Sequence, residues 1–157
     1  MRIRIVAVGK LKEDYLKRGV DDYIKRLLRY VKITVQEVAE EDINTKPGPE
    51  VKAREAQKLQ KQLQPPESRY MIALDMRGTE LSSEELAQKL ESLMVAGKSN
   101  ISLVIGGALG LDDSILRAAD LRLSLSKLTF THQVARFIIL EQLYRSFKII
   151  KGEPYHY

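Results

Sequence analysis

The chain alternates short apolar segments of strand-like pattern with longer segments of helical periodicity, and this alternation constrains its fold more than any other feature. Five strand-like and five helical segments follow one another in strict succession. Because a strand–helix–strand unit brings the second strand back parallel to the first, the pattern predicts an α/β fold with a mostly parallel sheet flanked by helices. Strands are predicted at 2–9, 31–38, 69–75, 101–105 and 121–125, and helices at 13–29, 50–64, 84–96, 112–119 and 132–150.

Length and composition predict a single domain over residues 1–157 and exclude several classes of site. The chain has no cysteine, so disulfides and thiolate metal sites are excluded, and its two histidines are too few for a histidine-rich metal centre. No apolar run approaches the roughly 20 residues that span a bilayer. The N-terminus begins with strand-like alternation rather than a signal peptide. We therefore expect a cytoplasmic protein with neither a metal nor a membrane partner.

The positive charge is concentrated at the two ends of the chain. Residues 1–32 hold ten Lys and Arg against four Asp and Glu, and residues 127–157 hold five against two, although the whole chain is only +5. Basic ends suit a phosphate backbone, which favours a nucleic-acid partner. Solvated helix faces are the alternative interpretation.

The last predicted helix, 132–150, is apolar over more than one stripe. A terminal helix of this kind must bury two sides, one against its own sheet and one against another surface. A second copy of the chain provides such a surface, so we expect a homodimer. The apolar residues are Val134, Phe137, Ile138, Ile139, Leu140, Leu143, Tyr144, Phe147 and Ile150.

Two segments that follow predicted strands are candidate ligand loops. The glycine cluster 106–110 comes directly after an apolar strand, where glycines let the backbone approach a ligand at the carboxyl edge of a sheet. The irregular segment 125–132 offers backbone amides and hydroxyls, and its Thr131 is also a candidate N-cap. The alternative interpretation of 106–110 is a tight turn, and that of 125–132 is an ordinary loop. Neither a dinucleotide fingerprint nor a P-loop is present.

Two polar positions are also candidates for chemistry. Asp75 ends the third strand, where it can act as a base or bind a ligand hydroxyl, but capping the turn expected at 76–79 is the favoured role. The tail 155–157 contains two tyrosines and a histidine. Aromatic rings stack on unpaired bases and histidine moves protons, although short tails are usually frayed.

Taken together, these motifs resemble those of the bacterial large-subunit rRNA pseudouridine N3-methyltransferases, a family of the SPOUT class. The resemblance runs from end to end and departs from the family pattern at Thr131, where proline is usual, and at Tyr157, where a basic residue is common. The matching segments are IRIVAVGKLKEDYLKRG at 3–19, VIGGALGL at 104–111 and LSLSKLTFTHQVARFIILEQLYRSFKIIKGEPYHY at 123–157.

The resemblance implies a deep trefoil knot in the C-terminal half, a homodimer, and S-adenosylmethionine as methyl donor. Its implied substrate is a pseudouridine in 23S rRNA within the assembled ribosome. The cofactor contacts carried over by motif fall on Leu74, Gly106, Ser126, Lys127, Leu128, Thr129, Phe130 and Thr131.

For catalysis, we predict that Arg145 stabilises negative charge on the base, while Tyr155 and His156 hold the base or relay its N3 proton. An ion pair with Glu141 at i, i+4 spacing is the alternative role for Arg145. Two other functions stay open at this point. One is a SPOUT methyltransferase for another RNA, such as tRNA, and the other is a ribosome-binding factor without catalysis.

Overall fold

A computed structural model describes residues 1–64 and 69–155 and contains five strands alternating with five helices. The order of elements confirms the predicted α/β succession, and most bounds agree within two residues. The strands are β1 Arg2–Val8, β2 Lys32–Val38, β3 Arg69–Glu80, β4 Asn100–Ile105 and β5 Leu121–Ser124; the helices are α1 Asp14–Leu27, α2 Gly48–Gln62, α3 Ser83–Val95, α4 Asp113–Ala118 and α5 His132–Ile150.

All five strands form one parallel sheet with the order β2-β1-β4-β3-β5. Two apolar clusters cover its faces. The larger joins the sheet to α1, α3 and α5, and the smaller joins it to α2 and α4. The central strand β4 is buried from Ile101 to Ile105, as expected for a parallel strand covered on both faces.

Strand β3 departs from the sequence prediction. The turn expected at 76–79 is wrong, because β3 continues to Glu80. Its pairing with β5 shifts register, so that both Leu74 and Thr79 lie opposite Leu123. Gly78 lies so close to β5 that a Cβ there would be 2.5 Å from the carbonyl oxygen of Arg122. The strand therefore bulges between Leu74 and Thr79 rather than reversing.

Local caps fix where two of the helices begin. Ser82 accepts a hydrogen bond from the amide of Glu85, whose side chain in turn accepts one from the amide of Ser82, a capping box that starts α3. The Thr131 hydroxyl accepts a hydrogen bond from the amide of Val134, which confirms the predicted N-cap of α5. Leu28, which the predicted helix 13–29 includes, lies just beyond α1 and is exposed.

Helix α5 packs against α1 and α3, and every one of its residues is at least partly buried. Its N-terminal half is attached to the sheet by Arg136, which is 1% exposed. The guanidinium donates to Glu37 of β2 at 2.5 Å and to the carbonyl oxygen of Gly9 at 2.8 Å. Because Gly9 directly follows β1, this one side chain connects α5 to the ends of two neighbouring strands.

The described residues contain neither a candidate membrane span nor a candidate metal cluster. No helix in residues 1–64 and 69–155 is both long and apolar enough to cross a membrane. The same ranges contain no group of three or more His, Asp or Glu residues arranged to hold a metal ion.

We predict that Arg136→Met lowers the free energy of unfolding by about 2 kcal/mol, because it leaves the Glu37 carboxylate and the Gly9 carbonyl without their donor. The matched control is Arg54→Met, which breaks an exposed ion pair with Glu50 and should cost about 0.5 kcal/mol or less. Urea denaturation measures both. Equal losses in the two variants would contradict a special role for the buried pair.

Candidate cofactor pocket

A cavity of about 1140 Å³ opens at the carboxyl edge of the sheet. Its walls come from the ends of β3, β4 and β5 and from the first turns of α1 and α5. This edge is where open parallel sheets bind ligands, because the loops that follow several strands converge there. The two candidate ligand loops, 106–110 and 125–132, lie on either side of this cavity.

The glycine turn 106–110 forms one wall. A bridge between Gly107 and Gly110 closes it, and Gly110 has a φ of +85°, which side-chain-bearing residues rarely adopt. A Cβ on Gly106 would lie 2.8 Å from the carbonyl carbon of Gly110. The turn therefore leaves no room for a side chain at Gly106, and all five of its residues line the cavity.

The loop 125–131 forms the facing wall and is held by its own hydroxyl groups. Ser124 donates to the carbonyl oxygen of Ser126 at 3.0 Å, and the Ser126 hydroxyl accepts from the amide of Leu128 at 3.0 Å. Seven of the eight predicted cofactor residues line the cavity: Leu74, Gly106, Ser126, Leu128, Thr129, Phe130 and Thr131. Lys127 is exposed and is not one of the lining residues.

Asp75 lies in the cavity wall, but its oxygens are engaged within the strand bulge. It accepts from the amide of Arg77 at 3.3 Å and from Nε of Arg122 at 3.0 Å. Partial burial raises the pKa of this carboxyl, but the hydrogen bonds from Arg122 and Arg77 outweigh it and lower the pKa overall. These contacts tie Asp75 to β5 across the bulge, and the favoured prediction, a cap for a turn at 76–79, is wrong because β3 continues through those residues.

Tyr15 lines the cavity without having been predicted from the sequence, whereas His132 is the last residue of the predicted loop 125–132. Tyr15 lies in the first turn of α1 and is 63% exposed at the cavity. Nε2 of His132 is buried without a hydrogen-bond partner in the described chain, and burial lowers the pKa of its ring. The only sequence signal for Tyr15 is its position soon after β1, and that position becomes meaningful only once the strand order is known.

The predicted catalytic residues Arg145 and Tyr155 contact each other at the opposite end of α5. The Arg145 guanidinium lies over the Tyr155 ring at 4.8 Å from its centroid and donates to Glu141. The ion pair considered as an alternative is therefore present. It raises the pKa of Arg145, which stays charged. His156 and Tyr157 lie outside the described residues.

Tyr155 is an ordered part of the core rather than a frayed end. Its ring packs edge-on against Tyr144 at 4.8 Å between centroids. Its hydroxyl lies 3.0 Å from that of Tyr23 and donates to Glu141 at 3.2 Å. Burial raises the pKa of the phenol. At neutral pH Tyr155 is therefore a hydrogen-bond donor and not a base.

Within one chain, the cavity and this pair are far apart. The last cavity residue on α5 is Ala135, and Arg145 follows ten residues later. At 1.5 Å per residue, the helix separates the two positions by about 15 Å. Neither Arg145 nor Tyr155 lines the cavity. The structure thus brings the predicted cofactor residues together but does not bring the predicted catalytic residues to them.

Comparison with known proteins assigns the family. Residues 1–156 match the family model described as "Predicted SPOUT methyltransferase". The chain belongs to the SPOUT methyltransferase family. It is 53% identical over 160 residues to ribosomal RNA large subunit methyltransferase H of Acetivibrio thermocellus and 51% identical to the protein of the same name from Alkaliphilus oremlandii. Each alignment covers 99% of both chains.

Solved structures share the fold of this chain at low sequence identity. A probable methylase family protein from Haemophilus influenzae matches with a TM-score of 0.57 at 13% identity, covering 99% of this chain and 70% of that one. A methyltransferase from Legionella pneumophila matches with a TM-score of 0.50 at 12% identity, over 96% and 66% of the two chains. The latter was solved in complex with bound S-adenosylmethionine.

We predict that Gly106→Val in this SPOUT protein weakens S-adenosylmethionine binding at least ~100-fold, about 2.8 kcal/mol, because the new side chain must open the glycine turn. The matched control is Gly48→Ala, where a Cβ meets only Cδ1 of Leu109 at 3.6 Å, an ordinary contact. Calorimetry measures binding, and circular dichroism checks the fold. Unchanged affinity in folded Gly106→Val would contradict a role for this turn in the cofactor pocket.

Proposed function

We propose that the chain transfers the methyl group of S-adenosylmethionine to N3 of a pseudouridine in 23S rRNA within the assembled ribosome. The cavity walled by the glycine turn 106–110 and the loop 125–131, in a chain of the SPOUT methyltransferase family, carries the proposal. Full-length relatives named ribosomal RNA large subunit methyltransferase H support rRNA as the acceptor. Action on ribosomes implies a cytoplasmic location.

The residues around the cavity fit the proposed donor. Apolar side chains such as Leu74 and Leu128 offer surface to an adenine ring, while the amides of the glycine turn and the hydroxyl-rich loop offer hydrogen bonds. Bound S-adenosylmethionine supplies an activated methyl group. The protein must then orient the acceptor base and assist the loss of its N3 proton.

We propose that the acceptor base meets Arg145, Tyr155 and His156. As the N3–H bond breaks, negative charge develops on the base, and the permanently charged guanidinium of Arg145 stabilises it. The ring of Tyr155 offers a flat face on which the base can stack, since its hydroxyl donates to Glu141. His156, which lies outside the described residues, is the proposed group for moving the proton.

The cavity proposed for the donor and the Arg145–Tyr155 pair lie at opposite ends of α5. We therefore propose that a homodimer assembles each active site from two chains. Two α5 helices packed antiparallel about a two-fold axis place the Ala135 end of one beside the Arg145 end of the other. The outward side of α5 supports such packing. Val134, Ile138 and Ile149 lie about one helical turn or a multiple of it apart, are half-buried, and belong to neither described core cluster.

We also propose that residues 1–157 form one domain whose C-terminal half is threaded as a deep trefoil knot. The position of α5 supports this threading. The chain leaves β5 at one edge of the sheet, passes along the cavity, and reaches Gly9 and Glu37 at the ends of β1 and β2 on the opposite side. It thus crosses over the ends of the intervening strands before α5 begins.

The acceptor is tested with ribosomes from a strain lacking this protein. We predict that 23S rRNA from that strain lacks one methylated pseudouridine, and that purified wild-type protein with S-adenosylmethionine restores it. Mass spectrometry of nuclease fragments locates the mark. The Gly106→Val variant is the matched negative control. A mark that is missing from tRNA instead, or from no RNA, would contradict the proposed acceptor.

The shared active site is tested with mixed dimers purified through two different tags. A dimer of one Gly106→Val chain and one Arg145→Ala chain should keep about half of the wild-type single-turnover rate, because one of its two sites combines two intact halves. A dimer of one wild-type chain and one chain with both substitutions should be inactive, because each site then contains one defect.

The opposite pattern would contradict the proposal. If each chain held a complete site, the dimer of wild-type and doubly substituted chains would keep half of the activity and the dimer of single variants none. Affinity for S-adenosylmethionine in Arg145→Ala should stay within about twofold of wild type, since Arg145 lies outside the cavity.

A further inference from the structure

Glu55 is a buried carboxylate that neither the fold nor the proposed mechanism uses. It lies on α2 and is 3% exposed. Its Oε1 atom accepts a hydrogen bond from the amide of Glu41 at 3.1 Å. Its Oε2 atom is buried without a hydrogen-bond partner in the part of the chain that the structure describes. Such a group is costly to bury, which calls for a physical reason.

The carboxylate lies directly behind the glycine turn of the cavity. A Cβ on Gly107 would be 3.0 Å from Oε2 and 3.1 Å from Oε1 of Glu55. Gly107 also lines the cavity. Since glycine has no side chain, only the thickness of one backbone segment separates the Glu55 carboxylate from the cavity.

Nearby cations do not neutralise the unpartnered oxygen. Lys58 donates to Glu41 and to the carbonyl oxygen of Ala39, and Lys46 also pairs with Glu41. Burial raises the pKa of Glu55, and the neighbouring Glu40 and Glu41 contribute in the same direction, against the amide of Glu41 and Lys58. A positive charge in the cavity would offset these effects and favour the ionised carboxylate.

We propose that Glu55 determines the specificity of the pocket for a positively charged sulfonium over a neutral thioether, acting through the backbone of Gly107. When the S–CH₃ bond breaks, the electron pair stays on sulfur, and the donor becomes neutral S-adenosylhomocysteine. The attraction to Glu55 is then lost, so the carboxylate favours donor binding and product release. This inference rests on the proposed use of S-adenosylmethionine.

The expected size of the effect on ligand affinity follows from the surroundings of Glu55. A buried charge acts across protein rather than water, so it interacts strongly with a second charge several ångströms away and is little screened by salt. We expect Glu55→Gln to weaken S-adenosylmethionine binding about tenfold, which corresponds to about 1.4 kcal/mol. Binding of S-adenosylhomocysteine should change less than twofold. Sinefungin carries an ammonium group near the sulfonium position, so its binding should weaken about as much as that of S-adenosylmethionine.

The experiment is calorimetry with these three ligands on the full-length chain. Glutamine keeps the shape of Glu55 and its bond to the Glu41 amide, and it removes the cost of burying a charge. The melting temperature of Glu55→Gln should therefore equal or exceed that of wild type. Glu55→Asp keeps the charge and should preserve most of the preference for S-adenosylmethionine. Glu50→Gln, an exposed acid on the same helix, is the matched control.

The results of this calorimetry distinguish failure of the inference from failure of the proposed function. Equal weakening of all three ligands, or failure of Glu55→Gln to fold, would show a structural carboxylate and overturn the inference. An unchanged ratio of the dissociation constants of the two sulfur ligands would overturn it as well. Failure of the wild-type protein to bind S-adenosylmethionine would instead overturn the proposed function.

Discussion

The buried guanidinium of Arg136 fixes the one helix on which both candidate sites depend. It bonds to Glu37 and to the carbonyl oxygen of Gly9, and so holds the N-terminal half of α5 against the ends of β1 and β2. An arginine suits this position because its planar group donates in two directions and stays charged when buried. With that end fixed, the loop 125–131 is drawn across the sheet edge and forms a cavity wall.

The rigidity of α5 has a second consequence: the cavity proposed for the donor and the residues proposed for the acceptor lie at opposite ends of this helix. A helix of 19 residues does not fold back on itself, and the ring contacts of Tyr155 with Tyr144 and of Arg145 with Tyr155 fix the far end as firmly as Arg136 fixes the near one. A symmetric pair of chains resolves the separation without moving either site. Dimerisation in this proposal is therefore part of catalysis rather than an addition to stability.

The glycine turn meets two structural requirements that side chains at Gly106 and Gly107 would prevent. Gly106 lets the turn close on the backbone of Gly110, and Gly107 lets the Glu55 carboxylate lie directly behind the cavity wall. In the proposed arrangement, the turn lines the cavity and the carboxylate of Glu55 supplies a negative charge from behind it. A pocket for a cationic donor whose product is neutral gains from this division, because contacts common to both ligands cannot distinguish between them.

The sequence by itself determined the helices and strands, since period-two and helical patterns are local consequences of which face is buried. The bounds of β2 and α5, the cap at Thr131 and the two cavity loops were all predictable. It also determined the family, through motifs spread over the whole chain. Only the tertiary structure decided the strand order, the bulge in β3, the contact of Arg136 with Glu37 and the place of Glu55 behind Gly107. These join residues distant in sequence, and local patterns carry no information on which distant segments meet. The 15 Å or so between pocket and Arg145 follows from helix geometry, once the tertiary structure has shown which end of α5 the cavity occupies.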